Sequence, residues 1–352
     1  MFGYRGGLNH GNCWVNRPVT TIKQIADATG VHPSTVSRAL DPKKRHLVAE
    51  DVAKRIASQA EALGYQPNRL AASLRLGRSQ LIGVLLPDIA NPMFAPVLSG
   101  VTEVLSTEGY APIVADAGNA TSQQVSFVET LLSQRVDGLI LATVSQDDEL
   151  VGFCIDRGLP VVLVNRSETR DRVSSVVSDD DLGMRLAVDH LVGLGHRRIV
   201  HVAGPPSTST GLLRRDGFER AMSHDELTGT VREATAYTRE AGAEATTRIL
   251  DTGDDITAIV AANDLLALGA LDALKRRNLR CPDDISIVGH NDMPFMDVVS
   301  PPLTTVRIEH REMGRRAASM LIDAIKTGSS DIRHVVLRPE LIVRESTRAP
   351  QR

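Results

Sequence analysis

The sequence predicts an α/β body of two doubly wound parallel-sheet subdomains, preceded by a small all-α head. Three observations carry this expectation. The chain has 352 residues, more than one ordinary core encloses. After Gln80, apolar runs rich in Val, Ile and Leu alternate with helical stretches, the pattern of parallel strands covered on both faces. Before Gln80, short helical periods flank a glycine turn, and the local charge is basic.

Hydrophobic residues make up 42% and charged residues 24%, the balance of a soluble globular protein. Aromatics are only 3%, so the cores must be built from Val, Ile, Leu and Ala. The net charge of −3 hides an asymmetry. The segment 18–80 carries ten Lys or Arg against five Asp or Glu, and everything after it is net acidic. A basic head on an acidic body suits a chain whose head alone meets a polyanion. The three cysteines, Cys13, Cys154 and Cys281, stand far apart. They form no Cys-x-x-Cys pair or Cys/His cluster, so no zinc site and no cofactor is expected. Their sparse use fits a reducing cytoplasm. No run of about 18 apolar residues is present, so no membrane span is expected. Residues 1–18 are Gly- and Asn-rich, lack the apolar core of a secretory signal, and read as a disordered extension or as upstream sequence included by choice of start codon.

The head spans residues 19–66. Ile22, Ile25, Ala26 and Thr29 recur at helical spacing until Gly30, a residue suited to the turn after a helix. A second short helix begins at Pro33, where a missing N–H costs nothing, and buries Val36, Ala39 and Leu40. Its other face presents Ser34, Thr35, Ser37 and Arg38. A third helix, Asp51 to Leu63, offers Val52, Ile56, Ala60 and Leu63 to close a small core. Helix, glycine turn and short polar-faced helix make a helix-turn-helix, whose second helix enters the DNA major groove.

Thr21-Ile22-Lys23-Gln24-Ile25-Ala26, Gly30-Val31-His32-Pro33-Ser34-Thr35-Val36-Ser37-Arg38 and Leu63-Gly64-Tyr65-Gln66-Pro67-Asn68 resemble the head of the LacI/GalR family of bacterial repressors. The resemblance implies base contacts for Ser34 and Arg38, the latter through two bonds to guanine. It implies phosphate contacts for Thr21, Thr35 and Ser37. His32 departs from the family's usual Ser and is expected to cap the second helix poorly. The basic run containing Lys43 is expected to add phosphate contacts. Residues 67–80, with Asn68, Ala71 and Leu74, resemble the family's hinge helix and linker. Leu74 matches a leucine wedged into the minor groove, which implies a bent palindrome with a central CG step.

The body spans 81–345, with 346–352 as a polar tail lacking the leucine heptads of tetrameric members; a homodimer is therefore expected. Strands are expected at Leu81–Leu86, Pro112–Ala115, Gly138–Leu141, Pro160–Val164, Ile199–Ala203, Ala258–Ala261 and Ile285–Val288. Ile82-Gly83-Val84, Asn91-Pro92-Met93-Phe94, Val136-Asp137-Gly138-Leu139-Ile140, Ala262-Asn263-Asp264 and Pro301-Pro302-Leu303-Thr304-Thr305-Val306 resemble the family's effector domain, itself similar to periplasmic sugar-binding proteins. That architecture implies subdomains of about 81–165 plus 307–329 and 166–306 plus 330–345, with crossings near Asn165, Arg307 and Ser330.

Ligands bind such folds at the carboxyl ends of the strands. The resemblance places Asp88, Asn91, Phe94, Thr208, Thr210, Arg214, Tyr237, Asn263 and Asn291 there. Asn, Asp and Arg grip paired hydroxyls, and an aromatic covers an apolar ring face. Asn291 stands where other members carry Asp. Asn263 also suits a helix cap, and His196, Arg197 and Arg198 read as structural. No G-x-S-x-G, Walker loop, H-E-x-x-H or dinucleotide fingerprint is present, so an enzyme is not expected. A periplasmic binding protein would share the body but would need a signal peptide and have no use for the head. The sequence therefore points to a cytoplasmic, operator-binding repressor released by a sugar or sugar derivative, with corepression as the alternative.

Overall fold

A computed structural model describes residues 20–41, 44–65, 78–118, 120–143, 145, 148–223 and 227–351. It contains two compact units, 1–77 and 78–352.

In the first unit, α1 (Ile22–Thr29), α2 (Pro33–Ala39) and α3 (Glu50–Ala62) enclose one small core. Thr21 caps α1 in a capping box with Gln24, and Gly30 ends it at φ 68°. Ile25, Val36 and Ile56 are fully buried, each stabilising the head by roughly 1.5–3 kcal/mol. On α3 the buried face is Ala53, Ile56 and Ala60, and Leu63 lies outside at 39% exposure. Leu63 follows the last turn, where the helical period no longer sets its direction.

The second unit holds two six-stranded sheets among the described residues. The first contains β1 (Leu81–Leu86), β2 (Ala111–Asp116), β3 (Gly138–Leu141), β4 (Val161–Val164), β5 (Ser174–Ser178) and β11 (His334–Leu337). Its order is β11-β5-β4-β3-β1-β2, all parallel. The second contains β6 (Arg198–Ala203), β7 (Thr228–Glu233), β8 (Ala258–Ala261), β9 (Ser286–Asn291), β10 (Thr304–Arg307) and β12 (Glu340–Ile342), in the order β12-β10-β9-β8-β6-β7. Only the β10–β12 pair in that sheet is antiparallel. The central strands β3, β4, β8 and β9 are buried along their whole length, as continuous apolar runs demand.

Helices α4 (Phe94–Thr107), α5 (Thr121–Ser133), α6 (Glu149–Asp156) and α11 (His310–Thr327) cover the first sheet. Helices α7 (Asp180–Gly193), α8 (Ser209–Ala221), α9 (Arg239–Asp251) and α10 (Asp264–Arg276) cover the second. α4 and α11 cross on glycines: a Cβ on Gly100 would stand 2.1 Å from the Arg311 carbonyl, and one on Gly314 2.1 Å from that of Val97.

The chain passes between the sheets three times. The first passage, expected near Asn165, lies at 178–180, because Ser174–Ser178 pairs with β4 before the chain leaves. The second follows β10 at Arg307. The third, expected near Ser330, lies between Leu337 and Glu340, because β11 still belongs to the first sheet. Arg307 binds Asp292 at 2.8 Å and Glu340 at 2.9 Å, and Arg344 holds Asp292 at 2.7 Å, so one ionic cluster ties the later passages together. Residues 346–348 are not a free tail. Ser346 is fully buried, its carbonyl accepts the Ile287 N–H, and the Arg348 carbonyl meets His196 at 2.9 Å. No helix among the described residues is long and apolar enough to cross a membrane.

Candidate functional site

The polar face of α2 is the candidate nucleic-acid surface. Ser34 and Arg38 are exposed, and Thr35 and Ser37 are half-buried. His32 does cap the helix: its Nδ1 accepts the Ser34 N–H at 3.2 Å and lies 2.8 Å from Ser34 Oγ. The ring nitrogen replaces the usual serine oxygen and leaves the Ser34 oxygen as an acceptor. Thr21 is both the α1 cap and the expected phosphate contact. Lys43, Asn68, Ala71 and Leu74 lie outside the described residues.

The second site lies in the body. Asp88, Asn91 and Phe94 follow β1; Thr208, Thr210 and Arg214 follow β6; Tyr237, Asn263 and Asn291 follow or end β7, β8 and β9. All nine line one cavity of about 210 Å³ between the two sheets.

Several of these side chains are oriented by the backbone. Asn91 Oδ1 accepts the Met93 N–H at 3.1 Å, and Asn263 Oδ1 caps α10 by accepting the Leu266 N–H at 2.9 Å. Each amide then keeps its NH₂ as a donor. His290 Nδ1 donates to Asn291 Oδ1 at 3.3 Å, with the same result for Asn291. Thr208 caps α8, and Thr210 Oγ1 meets the Tyr237 hydroxyl at 3.1 Å. Both α8 and α10 therefore turn their positive N-terminal ends toward the cavity.

Arg214 is the electrostatic anchor. At 2% exposure it donates from Nε to Asp180 at 2.7 Å and from Nη1 to the Ala262 carbonyl at 2.6 Å. Burial pushes the Asp180 carboxyl up and outweighs the pull of Arg214. Asp264 sits deeper. It accepts from the Met293 N–H at 2.7 Å and Thr305 Oγ1 at 2.5 Å, yet burial lifts its pKa to about 7.

Residues 21–68 match the family model described as bacterial regulatory proteins, lacI family, and residues 188–347 match the periplasmic binding protein-like domain. The HTH-type transcriptional repressor PurR of Haemophilus influenzae (strain PittEE) is 31% identical over 342 residues, covering 94% of this chain and 99% of that protein. The chain belongs to the LacI family of bacterial regulatory proteins.

Other members agree. The ribose operon repressor of Halalkalibacterium halodurans is 30% identical, covering 94% of this chain and 98% of the relative. The structure of the lac repressor dimer bound to operator and the anti-inducer ONPF matches with a TM-score of 0.84, at 26% identity over 94% of this chain and all of that one. The complex of the transcriptional regulator CelR with cellobiose matches at 0.72 and 30% identity, again over 94% of this chain and all of the other. These relatives are transcription regulators, and this LacI-family chain carries the same DNA-binding head and effector-type body.

Family resemblance pointed to nine cavity residues but missed Thr143, Ser145, Asn165 and Arg166, which line the same cavity from the first subdomain. The signal was present: Asn165 and Arg166 directly follow the apolar run ending at Val164, as Asp88 follows the run ending at Leu86. Sequence also missed Gly204. A Cβ there would stand 2.2 Å from the Tyr237 hydroxyl and ring. Gly204→Ala is therefore expected to push Tyr237 off Thr210 and weaken effector binding by tenfold or more, about 1.4 kcal/mol. Titration calorimetry with the effector checks this; unchanged affinity would show that Tyr237 has no part in the site.

Proposed function

We propose that this protein is a homodimeric repressor that holds a palindromic operator and lets go when a small sugar or sugar derivative fills the cavity. The observation that carries the reading is the convergence of Asp88, Asn91 and Phe94 from one subdomain with Thr208, Arg214 and Asn263 from the other on one cavity. A ligand touching both halves changes their relative position, and the family link to operator DNA gives that change an output. Relatives named for an operator-bound dimer, a ribose operon and a cellobiose complex support each part. At about 210 Å³ the cavity is smaller than the roughly 300–1,000 Å³ of drug-sized sites, which favours a single-ring ligand.

Asp88 is the sole carboxylate among the described cavity-lining residues, so no acid–base pair favours an enzyme. The expected place of action is the cytoplasm, on DNA. The test is operator binding by the purified protein with and without compounds that raise its melting temperature. By linkage an inducer weakens operator binding and a corepressor strengthens it. Corepression, in which the ligand strengthens operator binding, is kept as the second reading. Operator affinity that no stabilising compound alters would sink both.

Within the head, Arg38 is assigned to base reading and Lys43 to phosphate. Arg38→Ala should cost roughly 1–3 kcal/mol on the preferred operator and relax its sequence preference. Lys43→Ala should weaken all sequences alike and flatten the salt dependence. Identical behaviour of the two variants in salt-titrated binding assays would refute this division.

A further inference from the structure

We propose that His290 is a positioning residue for the effector: the one proton on its buried ring fixes the Asn291 amide, so that position 291 offers a donor and the ligand answers with an acceptor oxygen. The inference rests on the effector reading of the cavity and names what the ligand brings to one wall of it.

Asn291 lines the cavity, and His290 precedes it in β9, fully buried. The His290 Nδ1 lies 3.3 Å from Asn291 Oδ1. A neutral imidazole and an amide can meet in two ways. With the proton on Nδ1, the ring donates to the amide oxygen, and the NH₂ turns to the ligand. With the proton on Nε2, the ring accepts from the amide, and the oxygen turns to the ligand. Which nitrogen carries the proton therefore decides what position 291 displays.

The surroundings of the ring make that choice. Burial, with Arg214, His201 and His310 nearby, keeps the ring from carrying both protons. Nε2 has no hydrogen-bond partner among the described residues. Asp180 Oδ1 is 4.0 Å from it, beyond hydrogen-bond reach, and already accepts from Arg214 Nε at 2.7 Å. α7 closes that side at Gly183, where a Cβ would stand 2.7 Å from Nε2. A proton on Nε2 would be a buried donor with no acceptor, whereas one on Nδ1 has Asn291 Oδ1. The amide NH₂ of Asn291 has no partner among the described residues and is left for the ligand. Asn91 and Asn263 are turned the same way, but by backbone N–H groups. At position 291 a side chain does that work, so a single substitution can release it.

Nitrogen-15 NMR of the full-length protein labelled at histidine reads the proton, with His290→Gln identifying the signal. The expected result is a neutral ring, protonated at Nδ1 and bare at Nε2. A ring protonated at Nε2, or charged at neutral pH, overturns the proposal. Calorimetric titration with D-ribose, D-glucose, D-glucuronate and D-glucose 6-phosphate reads the consequence, on whichever binds most tightly. His290→Leu should weaken that probe about fivefold or more. His290→Gln, which can still donate to the amide oxygen, should keep part of the affinity. The double variant His290→Leu/Asn291→Leu should lose no more than Asn291→Leu alone, because His290 acts through the amide. Additive losses overturn the proposal, as does a His290→Leu protein that binds like the parent. Melting curves of the free variants separate unfolding from lost binding. If His290→Leu does not fold, Gly183→Ala displaces the ring with both partners in place and should weaken the same probe; unchanged affinity there overturns the proposal. The cavity reading fails separately, and takes the proposal with it, if no probe binds or a bound probe is indifferent to Phe94→Ala and Tyr237→Ala.

Discussion

Arg214→Ala is expected to destabilise the body by about 3–5 kcal/mol, the cost of leaving one partner of a buried ion pair alone. Asp180 is 4% exposed and has Arg214 as its ion-pair partner at 2.7 Å. Without the guanidinium, the carboxylate must take up a proton or draw in water, and the Ala262 carbonyl loses its donor as well. Urea unfolding followed by circular dichroism reads the change as a lowered midpoint. The double variant Arg214→Ala/Asp180→Ala should be less destabilised than the sum of the single changes, because the second substitution removes the stranded charge. Additive losses would mean that the two groups act independently. The same substitution removes a cavity donor, so any folded Arg214→Ala protein should also have lost its effector response.

A second large effect is acid lability from buried histidines. His201 lies in β6, fully buried, with Nδ1 donating to the Val260 carbonyl at 2.8 Å and its ring stacked on Phe218 at 5.0 Å. Its Nε2 has no partner among the described residues. Burial holds its pKa at about 4, against an ordinary 6.5. His310 is held at about 4 as well, chiefly by burial, and His290 well below its usual value. In each case the folded state resists the proton that the unfolded chain accepts. These groups therefore contribute stability present above pH 6.5 and lost as pH falls toward 4.

Asp264 has the opposite sign. Raised to about 7, it contributes stability present below about pH 3.8 and lost as pH rises through 7. Comparing a variant with the parent cancels such background. From pH 7 to 4.5 the stability loss of His201→Gln should be about 2–3 kcal/mol smaller than that of the parent protein. Parallel pH profiles for the two proteins would show that His201 stays neutral in both states.

How much of this was legible depended on contrast along the chain. Six of the seven apolar runs became the inner strands β1, β3, β4, β6, β8 and β9, because inner parallel strands are apolar on both faces, and the seventh became the half-buried edge strand β2. The strands that were missed lie at or beside sheet edges or carry polar residues. β5 reads Ser-Ser-Val-Val-Ser, and β7 and β11 are edge strands with exposed positions. Missing β5 and β11 displaced two of the three passages between the halves. The nine cavity residues were found by resemblance at strand ends. Arg166 was not, because sequence alone places a passage between the subdomains at its neighbour Asn165. The buried partners behind the cavity, Asp180 and His290, were beyond sequence reasoning. A charged residue in the first turn of a helix and a histidine ending an apolar strand look the same whether they face water or each other.

The passages between the sheets also set an order of events on the ribosome. The head closes its core with residues 22–65 alone, early in synthesis. The first sheet cannot be finished until α11 and β11 have emerged, and the second waits for β12 and for residues 346–348 to reach Ile287 and His196. Domains fold as they leave the exit tunnel, at about 5–20 residues per second. A nascent chain thus displays a folded DNA-reading head for roughly 14–54 seconds before either half of its regulatory body is complete. A chain stalled before α11 keeps the head and never gains a closed cavity, so a premature stop anywhere in that stretch releases a reader with no control attached.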